Sequence, residues 1–314
     1  MSLLLLHLDE ALKTQPHFVE YCRSKNAREA DFAEAAKNFR LWGKQKDLAD
    51  FRTSLKTHIN KDSKPLITFT GSGDFHHITQ VILSLLMEGR DEKITVIHFD
   101  NHPDWVHFDG GMHCGSWVNR ALEIPNVEKV ITLGVCSKDL KMPEFKGANL
   151  DNLKNGKIVL FPYSHKPSFV YKQYQSGASY SQEGYYINWD NIENHPHNFI
   201  ENLLPQITTK LVYITIDKDV LDARDTITNW DQGKMRLPFL LDALKTLTKK
   251  FDVLGVDVIG DYSKKNYAGT KLDVLKKHAE TIMDQPRVKT PKNKISEINT
   301  ASNMAIINVL EGFL

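Results

Sequence analysis

The chain has little cysteine: Cys22, Cys114 and Cys136 are all it carries in 314 residues, and no two form a Cys-x-x-Cys pair. Three isolated thiols exclude a disulfide-built scaffold and a thiolate metal cluster, and they fit a reducing, cytoplasmic setting. Net charge is nearly absent at a formal +1, and no basic stripe with interleaved aromatic residues occurs. A nucleic-acid partner is therefore not expected. No apolar run approaches the roughly 20 residues that a membrane-spanning helix needs, so no membrane association is expected. The Leu3-Leu4-Leu5-Leu6 run is too short for the core of a secretory signal and is soon followed by Asp9 and Glu10. Nothing repeats at a solenoid period. What is present, 41% hydrophobic residues in a chain of this length, suffices for one sizeable core.

Apolar, β-branched runs recur at 66–70, 94–99, 129–135, 157–161, 211–216 and 251–258, with helical segments between most of them. That alternation predicts an α/β fold with a mostly parallel sheet. Residues 9–57, rich in Ala, Glu, Lys and Leu, read as helices. The expected organisation is thus an N-terminal helical extension at 1–62, a lid or interface element, followed by one α/β unit at 63–314. Residues 163–184 read as a long loop or hairpin, and about 260–295 as an insertion with a helix at 271–283. Long loops in compact domains are often functional, and both would lie near the carboxyl edge of the sheet.

Three of the runs end in potential metal ligands. The run at 66–70 enters Gly71-Ser72-Gly73-Asp74-Phe75-His76-His77, after which Ile78, Val81, Ile82, Leu85 and Leu86 recur at helical spacing. The run at 94–99 ends in Asp100-Asn101-His102-Pro103-Asp104, and that at 211–216 in Asp217-Lys218-Asp219. In an open α/β sheet, ligands bind at the carboxyl ends of strands, where all three clusters emerge. Oxygen donors with some imidazole suit a hard-to-borderline ion such as Mn²⁺. So many carboxylates are hard to justify around one divalent ion, and their number points to two.

In this order the three clusters resemble the motifs of the arginase/agmatinase/formiminoglutamase family, the ureohydrolases: Gly-Gly-Asp-His-Ser, Asp-Ala-His-x-Asp and Ser-x-Asp-x-Asp-x-x-Asp-Pro. The resemblance runs weakly on through Leu254-Gly255-Val256-Asp257-Val258-Ile259 and Ile298-Asn299-Thr300-Ala301 to the end, whereas about the first sixty residues find no counterpart. It implies a three-layer α/β/α, arginase-like fold. It also implies a binuclear manganese site (Zn²⁺, Fe²⁺ and Co²⁺ being alternatives) held by His76, Asp100, His102, Asp104, Asp217 and Asp219, with Asp100 and Asp217 bridging. Two such ions, about 3.5–4 Å apart, would share a water and lower its pKa so that hydroxide attacks a carbon bonded to nitrogen in a guanidino, formimino or amide group. Asp104 would hold the nucleophile's proton. His113, in Gly111-Met112-His113-Cys114, is similar to an agmatinase histidine that shuttles protons, and would protonate the departing amine. Cys114 has no paired base in the sequence and reads as a bystander thiol.

The chain also departs from the family pattern. Gly260 stands where arginases and agmatinases carry the glutamate that holds the guanidinium group. Asp261 follows, but it should face the opposite side of a strand and could substitute only where the strand ends or bulges. Lys218, between two ligands, should turn away from the metals and pair with a buried acid. Free arginine is not the expected substrate. Asp261, Asn229 and Trp230 are candidate substrate contacts. Two alternatives remain open. One is a mononuclear zinc deacetylase of similar fold, which would use the His76-His77 tandem but has no need of Asp104 and Asp219; the other is a metal-binding descendant that has lost turnover, as Gly260 suggests. The expected partner is a small-molecule substrate, with homo-oligomer formation left open.

Overall fold

Eight short strands form one sheet: β1 (Ser2–His7), β2 (Arg28–Asp31), β3 (Leu66–Phe69), β4 (Ile94–Phe99), β5 (Val127–Leu133), β6 (Ile158–Phe161), β7 (Leu211–Asp217) and β8 (Asp252–Ile259). Their order across the sheet is β2-β1-β3-β8-β7-β4-β5-β6, and every pairing is parallel. This computed structural model describes residues 1–59 and 64–314. The boundary expected between residues 62 and 63 lies outside the described residues.

β3, β4 and β6 are buried at every position, as strands must be when helices cover both faces of a sheet. Alternate residues feed two cores. One face sends Leu4, Leu6, Val96 and Val130 against α2 (Gln45–Lys56) and α3 (Ile78–Met87), following α1 (Pro16–Ser24) in the chain. The other sends Ile67, Phe69, Ile97, Ile214 and Val256 against α1, α4 (Leu237–Lys250) and the long helix Lys292–Phe313. The result is a three-layer α/β/α sandwich. Among the described residues, no helix is long and apolar enough to cross a membrane.

The N-terminal segment differs from its expected helical extension. β1 lies inside the sheet between β2 and β3, with Leu4–Leu6 fully buried. Four consecutive leucines are what a strand buried on both faces requires; the run is short because the strand is short. β2 reads Arg-Glu-Ala-Asp, with no strand signal of its own, and is tolerated because it closes the edge of the sheet, where charged side chains reach solvent. The helix expected within the insertion is present as α5 (Lys271–Asp284), and the C-terminal helix becomes α6 (Lys292–Phe313).

Candidate metal centre and its cavity

The ends of β3, β4 and β7 deliver their carboxylates and imidazoles to one point. His76 Nδ1 lies 2.9 Å from Asp100 Oδ2, 3.0 Å from Asp104 Oδ2 and 3.6 Å from Asp217 Oδ2. His102 Nδ1 lies 3.0 Å from Asp219 Oδ2 and 3.4 Å from Asp100 Oδ1. Two groups with metal-ligand spacing result, His76-His98-Asp100-Asp104 and Asp100-His102-Asp219, and they share Asp100. All six residues expected as ligands are thus brought together, Asp217 lying against the first group.

Each carboxylate is anchored by a donor. The backbone N–H of His102 donates to Asp100 Oδ1 at 2.6 Å, that of Asp219 to Asp217 Oδ1 at 3.0 Å, and that of Asn101 to Asp219 Oδ1 at 3.0 Å. The indole Nε1 of Trp117 donates to Asp104 Oδ2 at 2.7 Å. Asp104 itself sits in the left-handed region at φ 49°, an uncommon conformation for a residue with a side chain and one that collects at functional sites. Gly73 makes room: a Cβ there would stand 2.5 Å from Asp217 Oδ2.

The imidazoles are oriented from behind. Thr215 Oγ1 donates to Asp257 Oδ1 at 2.7 Å, so it accepts from His76 Nε2 at 3.0 Å. The proton then sits on Nε2 and the Nδ1 lone pair faces the carboxylates, the arrangement a metal-ligating histidine adopts. His76 Nδ1 is buried and makes no aligned hydrogen bond although three carboxylates surround it. His102 Nε2 likewise meets Asp231 Oδ1 at 3.0 Å, leaving Nδ1 toward Asp219.

This donor set fits divalent cations. Burial, with repulsion from Asp100, raises the Asp217 carboxyl to about 7. Burial also raises Asp104 and Asp219, each with a neighbouring aspartate adding to the effect. Burial alone would lower His76, but Asp100 and Asp104 outweigh it and raise its pKa well above the usual value. Asp100 is held well below the carboxylate range: burial alone would raise it, but the attraction of His102, His76 and His98 outweighs that. Like charges crowded in low dielectric call for positive charge, which bound ions supply.

A cavity of about 580 Å³ opens beside the cluster, lined by His102, Asp104, His113, Trp230, Asp231 and Glu280 among others. His113 lines this cavity and not the smaller one, about 20 Å³, that His76, Asp100, His102, Asp104, Asp217 and Asp219 enclose. Trp230 borders both cavities and anchors its Nε1 on Asp74 Oδ1 at 3.0 Å. Two of the expected substrate contacts are not at the cavity. Asp261 is buried, its Oδ1 bound to Lys218 Nζ at 2.5 Å and its Oδ2 to Asn303 Nδ2 at 3.0 Å. β8 ends at Ile259, Gly260 takes φ 101°, and the Asp261 carboxylate turns to Lys218 and Asn303 rather than to the ligand cluster. Asn229 is buried as a loop tie, accepting from Ser72 Oγ and Ser263 N and donating to Ser263 O.

Other residues escaped the sequence motifs. His98 Nε2 meets Asp100 Oδ2 at 2.8 Å; lying two residues before Asp100 on the same strand face, it was open to detection by alternation. Asp231 and Glu280 come from loop and insertion segments with no such period. Asp74 collects Arg40 Nε at 2.6 Å, Trp230 Nε1 at 3.0 Å and Gln285 Nε2 at 2.6 Å, tying the N-terminal segment, the loop after β7 and the end of α5 to the first motif.

No family model matches the chain. An uncharacterized protein of Thermotoga maritima is 24% identical over 237 residues, 76% of this chain and 72% of that protein. Arginase from Bacillus cereus superposes with a TM-score of 0.60 over 96% of both chains at 14% identity. Formimidoylglutamase from Bacillus subtilis does so with a TM-score of 0.56 at 14% identity, over 97% of this chain and 86% of its own. Across nearly its whole length, the chain has the arginase/ureohydrolase fold.

Proposed function

We propose that the protein is a divergent ureohydrolase, a hydrolase of a C–N bond in a small guanidino, formimino or amide substrate, working with two divalent ions, Mn²⁺ foremost. One observation carries this reading: two ligand groups, each with an oriented imidazole, share the single carboxylate of Asp100. His76, Asp100, Asp104 and Asp217 would hold one ion, and Asp100, His102, Asp217 and Asp219 the other. Bound there, the ions supply Lewis acidity and make water a nucleophile near neutral pH. A mononuclear site would leave buried Asp219 with half-buried His102, or buried Asp104 and His76, without a cation.

The residues of the chain do the rest. Trp117 and the backbone amides fix the carboxylates, so no reorganisation is needed when charge develops. Asp104, which lines both cavities, would accept the nucleophile's proton, and His113, which lines the larger, would protonate the leaving nitrogen. Trp230 borders both cavities.

Arginine itself is a poor fit. Gly260 carries no carboxylate, and a Cβ there would stand 2.3 Å from Asp217 Oδ1 and 2.6 Å from Lys218 N. Asp261 is committed to Lys218. The test is metal analysis of protein purified without chelator, followed by a urea- and ammonia-release screen over guanidino, formimino and amide compounds in the presence of Mn²⁺. Two ions per chain and release from one of these compounds are expected. A single zinc that survives Asp219→Ala would overturn the binuclear assignment.

A further inference from the structure

We infer that Glu280 is a positioning residue for His113, and that residues 38–44 and α5 together build this side of the site. The inference rests on the reading of His113 as the proton carrier.

The backbone N–H of Gly115 donates to His113 Nδ1 at 2.8 Å. An amide can only donate, so Nδ1 bears a lone pair, and the neutral ring carries its proton on Nε2. That proton points to Glu280 Oε1, 2.6 Å away. With Nδ1 held by the Gly115 amide, Nε2 carries the proton that is exchanged, and the Glu280 carboxylate that accepts from it reinforces this tautomer and fixes the ring plane. Glu280 lines the same cavity as His102 and Asp104.

The support behind this pair comes from the segments that the metal motifs leave unexplained. Residues Trp42–Lys44 form an antiparallel ladder with Gly111–His113, Trp42 directly opposite His113. The same stretch holds the helix that carries Glu280: Lys44 Nζ reaches Asp273 at 2.7 Å, and Lys277 Nζ donates to Asn38 O at 2.8 Å while standing 4.4 Å above the Trp42 ring. Thr270 caps the helix, its Oγ1 accepting from Asp273 N as the Asp273 carboxylate accepts from Thr270 N. At the other end, Gln285 is tied to Asp74. The backbone of His113 and the partner of its side chain are therefore fixed to one another through residues 38–44.

The test is ring ¹⁵N spectroscopy of the full chain labelled with ¹⁵N-histidine, recorded metal-free and zinc-loaded, with His113 assigned by loss of its signals in His113→Gln. The wild type shows a protonated Nε2 and an unprotonated Nδ1. Glu280→Gln retains an acceptor and, like the wild type, keeps that tautomer with a slowly exchanging Nε2–H proton. Glu280→Ala leaves the tautomer to the Gly115 amide but frees Nε2–H, whose proton signal is lost to exchange with water, while zinc content and the other histidine signals stay as in the wild type. Glu280→Asp, too short to reach, behaves as the alanine variant does and serves if that protein fails to fold. A slowly exchanging Nε2–H signal that persists in both short variants overturns the inference. Failure of the wild type to bind zinc or manganese would instead overturn the metal-centre reading, and the metal-free spectra would still decide the role of Glu280.

Discussion

Replacing Lys218 by methionine should destabilise the protein by about 3–5 kcal/mol, the cost of breaking a buried ion pair from one side. The Lys218 ammonium is fully buried, and it donates to Asp261 Oδ1 at 2.5 Å, Asn303 Oδ1 at 2.8 Å and Ser302 Oγ at 3.4 Å. Burial lowers the lysine's pKa, and the attraction of Asp261 only partly restores it. Without the ammonium, Asp261 keeps a single donor, Asn303, for a carboxylate 2% exposed. The loss would be a large share of the roughly 5–15 kcal/mol that holds a typical native state together. Asp261→Asn alone should cost a comparable amount, because it leaves the ammonium without a counter-charge. The double variant Lys218→Met/Asp261→Asn removes both charges and should recover about 2–3 kcal/mol relative to the sum of the single changes. Urea denaturation of the four proteins measures this directly. A Lys218→Met protein within about 1 kcal/mol of wild type, or a double variant whose loss equals the sum, would refute the reasoning that the pair is buried and coupled.

Asp100→Asn should reduce bound metal from two ions to at most one per chain, read by elemental analysis, because both ligand groups use that carboxylate. Gly260→Glu should fail to create arginine hydrolysis and should lower metal content, since φ 101° disfavours any side chain and the Cβ would collide with Asp217; turnover of arginine by this variant would contradict the description of the β8 end. Lys277, lowered by burial to about 8 from an ordinary 10.5, is deprotonated in the folded chain before it is in the unfolded one. The unfolded state binds more protons between those values, so stability should rise with pH across that window, and Lys277→Met should flatten the rise in melting temperature.

The convergence of the candidate ligands was largely legible in the sequence because the segments that carry them obey local rules. An apolar run that stops at an acidic cluster marks a strand end, and Asp100, His102 and Asp104 need only a short turn to converge. The direction of Lys218 and the misplacement of Asp261 follow from alternation in the same way. The N-terminal strands were not legible. β1 is four buried leucines with little else around them, and β2 owes its conformation to its neighbour rather than to its own residues. Glu280 and Asp231 were hidden for another reason: they reach the cavity from an inserted helix and a loop, where no period links sequence position to direction. Asn229 shows the converse hazard, an amide beside a residue that borders the cavity, itself spent on holding two loops together.

The strand order has a consequence for how the molecule is made. β1, β2 and β3 form one contiguous block, and β4, β5 and β6 form another, so each can pair internally as the chain emerges. β7 and β8, which stand between the blocks, do not exist until after residue 211. They act as a keystone, and the candidate ligands lie on the seam they close: His76 on one block, Asp100, His102 and Asp104 on the other, Asp217 and Asp219 on the wedge. Such non-local parallel pairing is intrinsically slow, and it leaves two sticky sheet edges exposed until the wedge arrives. Any ion that these ligands hold should therefore be captured in the last step of refolding, which would make metal uptake a clock for the closing of the sheet.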